Sequence, residues 1–135
     1  MSAPSAKRRS PGCLFVALFL LMAAAPSAFG QKPIDFTLKD TEGNDVRLSD
    51  FLGKNVVLID FWATWCAPCV KELAHFQKFH EKYKDKGLVV LALSEDGPES
   101  VAMVKPFSKR YGYTFTVLLD TESRVLALYN PRVAL

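Results

Sequence analysis

Residues 55–61 read Asn-Val-Val-Leu-Ile-Asp-Phe, an apolar, β-branched run of the kind that forms a buried strand in a parallel sheet. From Ala67 to Lys86 the apolar positions change to a helical period. Cys69, Leu73, Phe76, Phe79, His80 and Tyr83 share one broad face, and Lys71, His75, Lys78 and Lys82 lie opposite. Gly87 predicts the end of that helix, and Leu88 to Leu93 (LVVLAL) predicts a second buried strand. Strand, helix and strand together make a right-handed βαβ unit. Upstream, Phe36-Thr37-Leu38 and Val46-Arg47-Leu48 alternate with polar neighbours around the turn sequence Glu42-Gly43-Asn44-Asp45, which predicts an N-terminal β-hairpin. Ser49 is placed to cap a short helical turn, Asp50 to Leu52, ending at Gly53. Downstream, Ser94 to Glu99 (SEDGPE) is a loop at the carboxyl end of the second strand, and its acids are read as caps of the next helix rather than as partner contacts. That helix spans Ser100 to Tyr111, with Pro106 kinking or restarting it. A strand over Phe115 to Leu119 and a last helix over Glu122 to Tyr129, capped by Thr121, complete the pattern.

The first 30 residues follow a different rule. Lys7, Arg8 and Arg9 form a basic start, Leu14 to Ala25 an apolar stretch, and Ala28-Phe29-Gly30 offers small residues at −3 and −1 before Gln31. This is the layout of a signal peptide over 1–30, or an N-terminal anchor if uncleaved, with the domain in 31–135. The apolar stretch falls short of the ~20 residues a membrane span needs. Ser-Pro-Gly after Arg8-Arg9 does not fit a twin-arginine signal, and Cys13 precedes the apolar stretch, where a lipoprotein cysteine would follow it. The net charge of +3 comes from this segment: without Lys7, Arg8 and Arg9 the chain carries 14 Lys+Arg against 14 Asp+Glu. A balanced domain gives no reason to expect nucleic acid as a partner. The export signal places the domain in the bacterial periplasm or at an extracytoplasmic face.

Without Cys13, the exported domain keeps only Cys66 and Cys69. A single Cys-x-x-Cys in such a chain serves redox chemistry or a metal, not a disulfide framework. The pair falls in FWATWCAPCVKE, where the strand gives way to the helix. There the free backbone N–H groups and the helix dipole favour a thiolate, lowering a cysteine from a pKa of about 8.5 to roughly 3.5–7.5. Cys66 is thereby a nucleophile toward a disulfide and Cys69, one turn on, its resolving partner. Pro68 fits the first helical turn. Zinc would need His75 and His80 as well, but His75 lies about 120° round the helix from Cys69 and His80 about 16 Å along it, so no tetrahedron closes and no metal is expected. Asp60, in an otherwise apolar strand, should have a raised pKa that suits a proton acceptor for Cys69. Glu72, at i+3 from Cys69, is its neighbour on the helix surface.

DFWATWCAPC resembles the active-site segment of thioredoxin-fold proteins, and WCAPCVKEL, with Glu72 three residues past the second cysteine, resembles the TlpA/ResA-type thiol–disulfide oxidoreductases of the redoxin superfamily. The likeness runs from about Ile34 to the C-terminus. It implies an α/β thioredoxin-like fold with an N-terminal β-hairpin and a central helix–strand insertion, acting without a dissociable cofactor. It also implies that Cys66 attacks, that Cys69 resolves, and that Trp65, with Ala67 and Pro68, forms the substrate-contact surface. Asp60 and Glu72 would handle the proton of the second thiol. The expected partners are exported proteins with thiols or disulfides, such as apocytochromes before haem attachment, and a membrane-bound electron donor. The expected state is a monomer. Two competing readings fit less well. A peroxiredoxin would need Thr and Pro where Ala63 and Ile59 stand, and related copper carriers space their cysteines by three residues. The resemblance also implies a cis-proline, a C-terminal hairpin and a helix. Pro131 is a poor match for that proline, so the sequence reads as lacking the C-terminal hairpin and helix, which leaves one side of the 55–61 strand without a neighbour.

Overall fold

The computed structural model describes residues 32–129; the signal-like segment, Cys13 and Pro131 lie outside them. Five strands form one sheet in the order β2-β1-β5-β4-β3. Strands β1 (Thr37–Asp40) and β2 (Asp45–Arg47) are the hairpin, antiparallel with Leu38 opposite Val46. Strand β3 (Val56–Trp62) pairs in parallel with β4 (Leu88–Ser94) along its whole length, Trp62 opposite Ser94. Strand β5 (Thr116–Leu119) runs parallel to β4 and antiparallel to β1. Among the described residues nothing pairs with the other side of β3, so the strand that leads into the cysteines is an edge strand.

Alternation along the strands divides the core in two. Leu58 and Trp62 of β3, Val90 and Ala92 of β4 and Val117 of β5 face helix α1 (Ala67–Tyr83), which contributes Cys69, Leu73 and Phe76, and helix α2 (Val104–Tyr111). Val57, Ile59 and Phe61, with Leu91, Leu93 and Leu118, face the opposite layer of Phe36, Leu48 and helix α3 (Arg124–Tyr129). Asp60 shares the α1 face with its neighbours Leu58 and Trp62.

Gly87 does end the cysteine helix, in the left-handed conformation at φ 90° after a 3-10 turn over Lys84–Lys86. Pro106 sits in the first turn of α2, after a 3-10 turn over Val101–Met103, where its missing N–H is tolerated. Three expected caps are not made. Ser49 lies inside a 3-10 turn, Leu48–Asp50, and donates its N–H to Asp35 instead of capping. The acids after β4 do not cap the next helical turn, whose N-terminal Ser100 makes no side-chain cap; Asp96 turns back to Thr64 and Ser94. Thr121 is not the cap of α3, because the buried Asp120 accepts the N–H groups of Arg124, Val125 and Leu126 at 3.0, 2.8 and 3.1 Å. No helix of the described residues is long and apolar enough to cross a membrane.

Candidate active site

Cys66 is the N-cap residue of α1 and leaves the helix conformation at φ −89°, ψ 88°. Its carbonyl accepts the first helical N–H, from Val70, and its own N–H is bound by Ala63. Ala67 and Pro68 form the first turn, so Cys66 sits at the end of the helix that carries the free N–H groups and the positive end of the dipole. Cys66 and Cys69 are joined as a disulfide, with Cα atoms 5.3 Å apart. Both are part-buried, while Trp65 beside them is 70% exposed.

Asp96 holds the approach to Cys66 in place. Fully buried, it accepts the Thr64 N–H at 2.8 Å and the hydroxyls of Thr64 and Ser94. It therefore ties the end of β4 to the segment between β3 and the cysteines. Sequence reasoning placed Asp96 in a capping loop. The signal that could have found it is the alternation of β4, which, continued past Leu93, puts Ser94 and Asp96 on the α1 side of the sheet.

Asp60 lies under α1, half-buried, with Oδ2 buried and unpartnered among the described residues. Desolvation first, and the charge of Glu72 second, push its carboxyl up to about 6. Glu72 itself is exposed on the helix surface. The structure thus brings Asp60 and Glu72 within electrostatic reach of each other, on the side of the sheet that carries Cys69. The two histidines stay outside the site. His75 is exposed, and His80 packs edge-on against Phe115, where burial lowers its pKa. Among the described residues no three His, Cys, Asp or Glu side chains are grouped to hold a metal ion.

On the other side of the cysteines is a pocket of about 220 Å³. Both cysteines line it, with Trp65, Glu95, Ser123 and Leu126. Glu95 had no place in the sequence reading of the site. Both its carboxylate oxygens are buried and lack partners among the described residues, and desolvation drives its carboxyl up to about 7, with the nearby charge of Asp120 adding to the effect. The Ser123 hydroxyl is near enough to favour ionisation partly, without closing a hydrogen bond of good geometry. Ser123 is also the one non-glycine residue among those described with a left-handed φ, 50°. Such strain costs about 1–2 kcal/mol and tends to be retained at functional sites.

A cysteine pair at a helix N-terminus, closed as a disulfide and with a half-buried acid under the helix, is an arrangement that can carry dithiol redox chemistry. The profile of the AhpC/TSA family matches residues 29–134. The chain belongs to the AhpC/TSA family. Within it, the chain is 39% identical over 103 residues to the thiol-disulfide oxidoreductase ResA of Geobacillus kaustophilus, covering 76% of this chain and 58% of that protein. The chain therefore spans little more than half the length of that relative. Among solved structures, a protein assigned as the thiol:disulfide interchange protein DsbE of Chlorobium tepidum superposes with a TM-score of 0.66 at 37% identity, covering 74% of this chain and 68% of that one. The thioredoxin domain of a thiol-disulfide oxidoreductase from Bacteroides vulgatus superposes with a TM-score of 0.62 at 28% identity, covering 71% and 69%. The fold is thus the thioredoxin-like α/β fold of this family, as the WCAPC segment implied.

Proposed function

We propose that the protein is a thiol–disulfide oxidoreductase that acts outside the cytoplasm on exported proteins and works mainly as a reductant. The observation that carries the reading is the Cys66–Cys69 disulfide at the N-terminus of α1. Reduced Cys66 is held as a thiolate by the helix terminus and attacks a substrate disulfide to give a mixed disulfide. Cys69, which loses its proton to Asp60 with the help of Glu72, displaces the substrate and restores the disulfide found here. Asp60 suits the acceptor role because its proton leaves near 6, well above an ordinary aspartate and close to working pH. Trp65, Ala67 and Pro68 are exposed around the sulfurs and form the substrate-contact surface.

No dissociable cofactor is required, because the two electrons travel in the S–S bond. Residues 1–30 act as an export signal or anchor and 31–135 as the thioredoxin-like domain. A membrane-bound donor re-reduces the cysteines, and exported proteins with cysteine pairs, such as apocytochromes awaiting haem, are the substrates. The relatives' names support this reading through the chemistry they share. Insulin reduction with dithiothreitol as electron source tests it. The wild-type chain should accelerate precipitation of the insulin B chain, and Cys66→Ser should abolish the effect. Cys69→Ser should accumulate a mixed disulfide that resists release. A wild-type chain with no acceleration over dithiothreitol alone would overturn the proposal.

A further inference from the structure

Glu95 is the member of the cysteine pocket that the exchange mechanism leaves without a task. The alternation of β4 turns Glu95 toward the α3 side of the sheet, whereas Asp60 lies on the α1 side. Two carboxyls therefore stand on opposite faces of the sheet, half-buried Asp60 on the face that carries Cys69 and Glu95 in the pocket that both cysteines line, each with a buried oxygen that no donor satisfies among the described residues. The backbone fixes Glu95 there, since its N–H is bound to the Trp62 carbonyl at 2.8 Å, four residues before Cys66. A buried acceptor without a partner is destabilising, and native structures retain such groups where they have work to do. The groups that face Glu95 from the packed elements are few. Phe61, Trp62 and Ala63 of β3 and the segment after it, together with Leu126 of α3, carry no charge. Asp120 and Ser123 stand at the turn before α3, and the cysteines stand at the start of α1. The neighbouring Asp96 is engaged by Thr64 and Ser94. At about 220 Å³ the pocket takes a side chain rather than a larger ligand, which suits a substrate cysteine.

We propose that Glu95 is the proton donor to the sulfur that leaves when a substrate disulfide is cleaved in this pocket, a role separate from that of Asp60 and Glu72 toward Cys69. The inference rests on the oxidoreductase reading above. The Cys66 thiolate attacks one sulfur of the substrate disulfide, so the substrate S–S bond breaks as the Cys66–substrate bond forms. The electron pair departs on the other substrate sulfur, which takes the Glu95 proton and leaves as a thiol, and Glu95 recovers a proton from water. Cys69, its own proton passed to Asp60, then attacks Cys66 Sγ. The second substrate sulfur leaves with its electron pair and is protonated in the same way. The substrate disulfide has gained two electrons and two protons, and the dithiol has become the Cys66–Cys69 disulfide. A carboxyl that keeps its proton to about pH 7 is matched to this step, since a general acid works best near the operating pH.

The test compares two substrates with the pre-reduced full chain. One is a peptide dialkyl disulfide, whose alkyl thiolate leaves poorly without a proton. The other is the aryl disulfide 5,5′-dithiobis(2-nitrobenzoate), whose acidic thiol leaves without one. Glu95→Gln should slow the alkyl substrate at least about tenfold more than the aryl one, since general acids contribute roughly 10²–10⁴-fold. Glu95→Asp, which retains a carboxyl, should recover part of the loss. In the wild type the alkyl-to-aryl rate ratio should fall as pH rises through about 7, and in Glu95→Gln it should not. Equal slowing of both substrates, or of neither, would overturn the proposal. If Glu95→Gln does not fold, the wild-type profile decides alone, and a ratio independent of pH overturns it. If the wild type reduces neither substrate, the oxidoreductase reading fails and this inference with it.

Discussion

Replacing Asp60 by Asn should make the oxidised chain more stable at neutral pH, although it removes a proposed catalytic group. Folding raises the Asp60 pKa from 3.8 to about 6, first by desolvation and then through Glu72. Between those values the folded chain holds a proton that the unfolded chain has released, so stability falls as pH rises through that window. Below about pH 4 the contribution is absent; above about pH 6 the loss is complete. At about 1.4 kcal/mol per pH unit the displacement corresponds to at most about 3 kcal/mol. Asp60 is only half-buried, and with solvent screening about 1–2 kcal/mol is expected. Urea denaturation of the oxidised wild type and Asp60→Asn at about pH 4 and about pH 7.5 reads this directly: the variant's midpoint minus the wild type's should be about 0.5–1 M larger at the higher pH than at the lower. Any effect of the new amide on packing is the same at both values and cancels. A difference between the two proteins that is identical at both pH values would refute the reasoning.

Other consequences follow from the same contacts. Asp96→Ala would leave the Thr64 N–H and the Ser94 hydroxyl without their acceptor, so a loss of about 1–3 kcal/mol in denaturant melts is expected, together with slower alkylation of reduced Cys66. Asp120→Ala removes the acceptor for three N–H groups at the start of α3 and should cost about 0.5–2 kcal/mol, with hydrogen exchange at Val125 and Leu126 rising more than in α1. Leu73→Ala, in the fully buried seam between α1 and the sheet, should destabilise by about 2–5 kcal/mol.

The elements that were legible in the sequence are those whose signal repeats. β3, α1 and β4 each carry enough apolar positions at one period for packing and propensity to agree, and Gly87 marks the helix end by a conformation that few other residues adopt. The thiol pair was legible because its chemistry depends on local sequence, a strand end and a helix start. What was not legible depends on single side chains choosing between nearby partners. Ser49, Thr121 and the acids after β4 all have cap-forming chemistry, yet Asp35 takes the Ser49 N–H, Asp120 takes the first N–H groups of α3, and Asp96 is drawn away to Thr64 and Ser94. The choice is made by tertiary packing: Asp120 and Asp96 are buried at strand ends, where a carboxylate must find donors at once. Asp60 was legible because a lone acid in an apolar strand is conspicuous. Glu95 was not, because an acid in the polar sequence Ser-Glu-Asp-Gly looks like part of an ordinary loop until the turn before α3 folds over it.

The central claim is that the α1 terminus makes Cys66 a thiolate at working pH. The most direct measurement is the pH dependence of Cys66 alkylation by iodoacetamide in the reduced Cys69→Ser chain, where no disulfide can form between the pair. The account predicts a pKa below about 7 for Cys66; a value near 8.5, that of an unperturbed thiol, would contradict it.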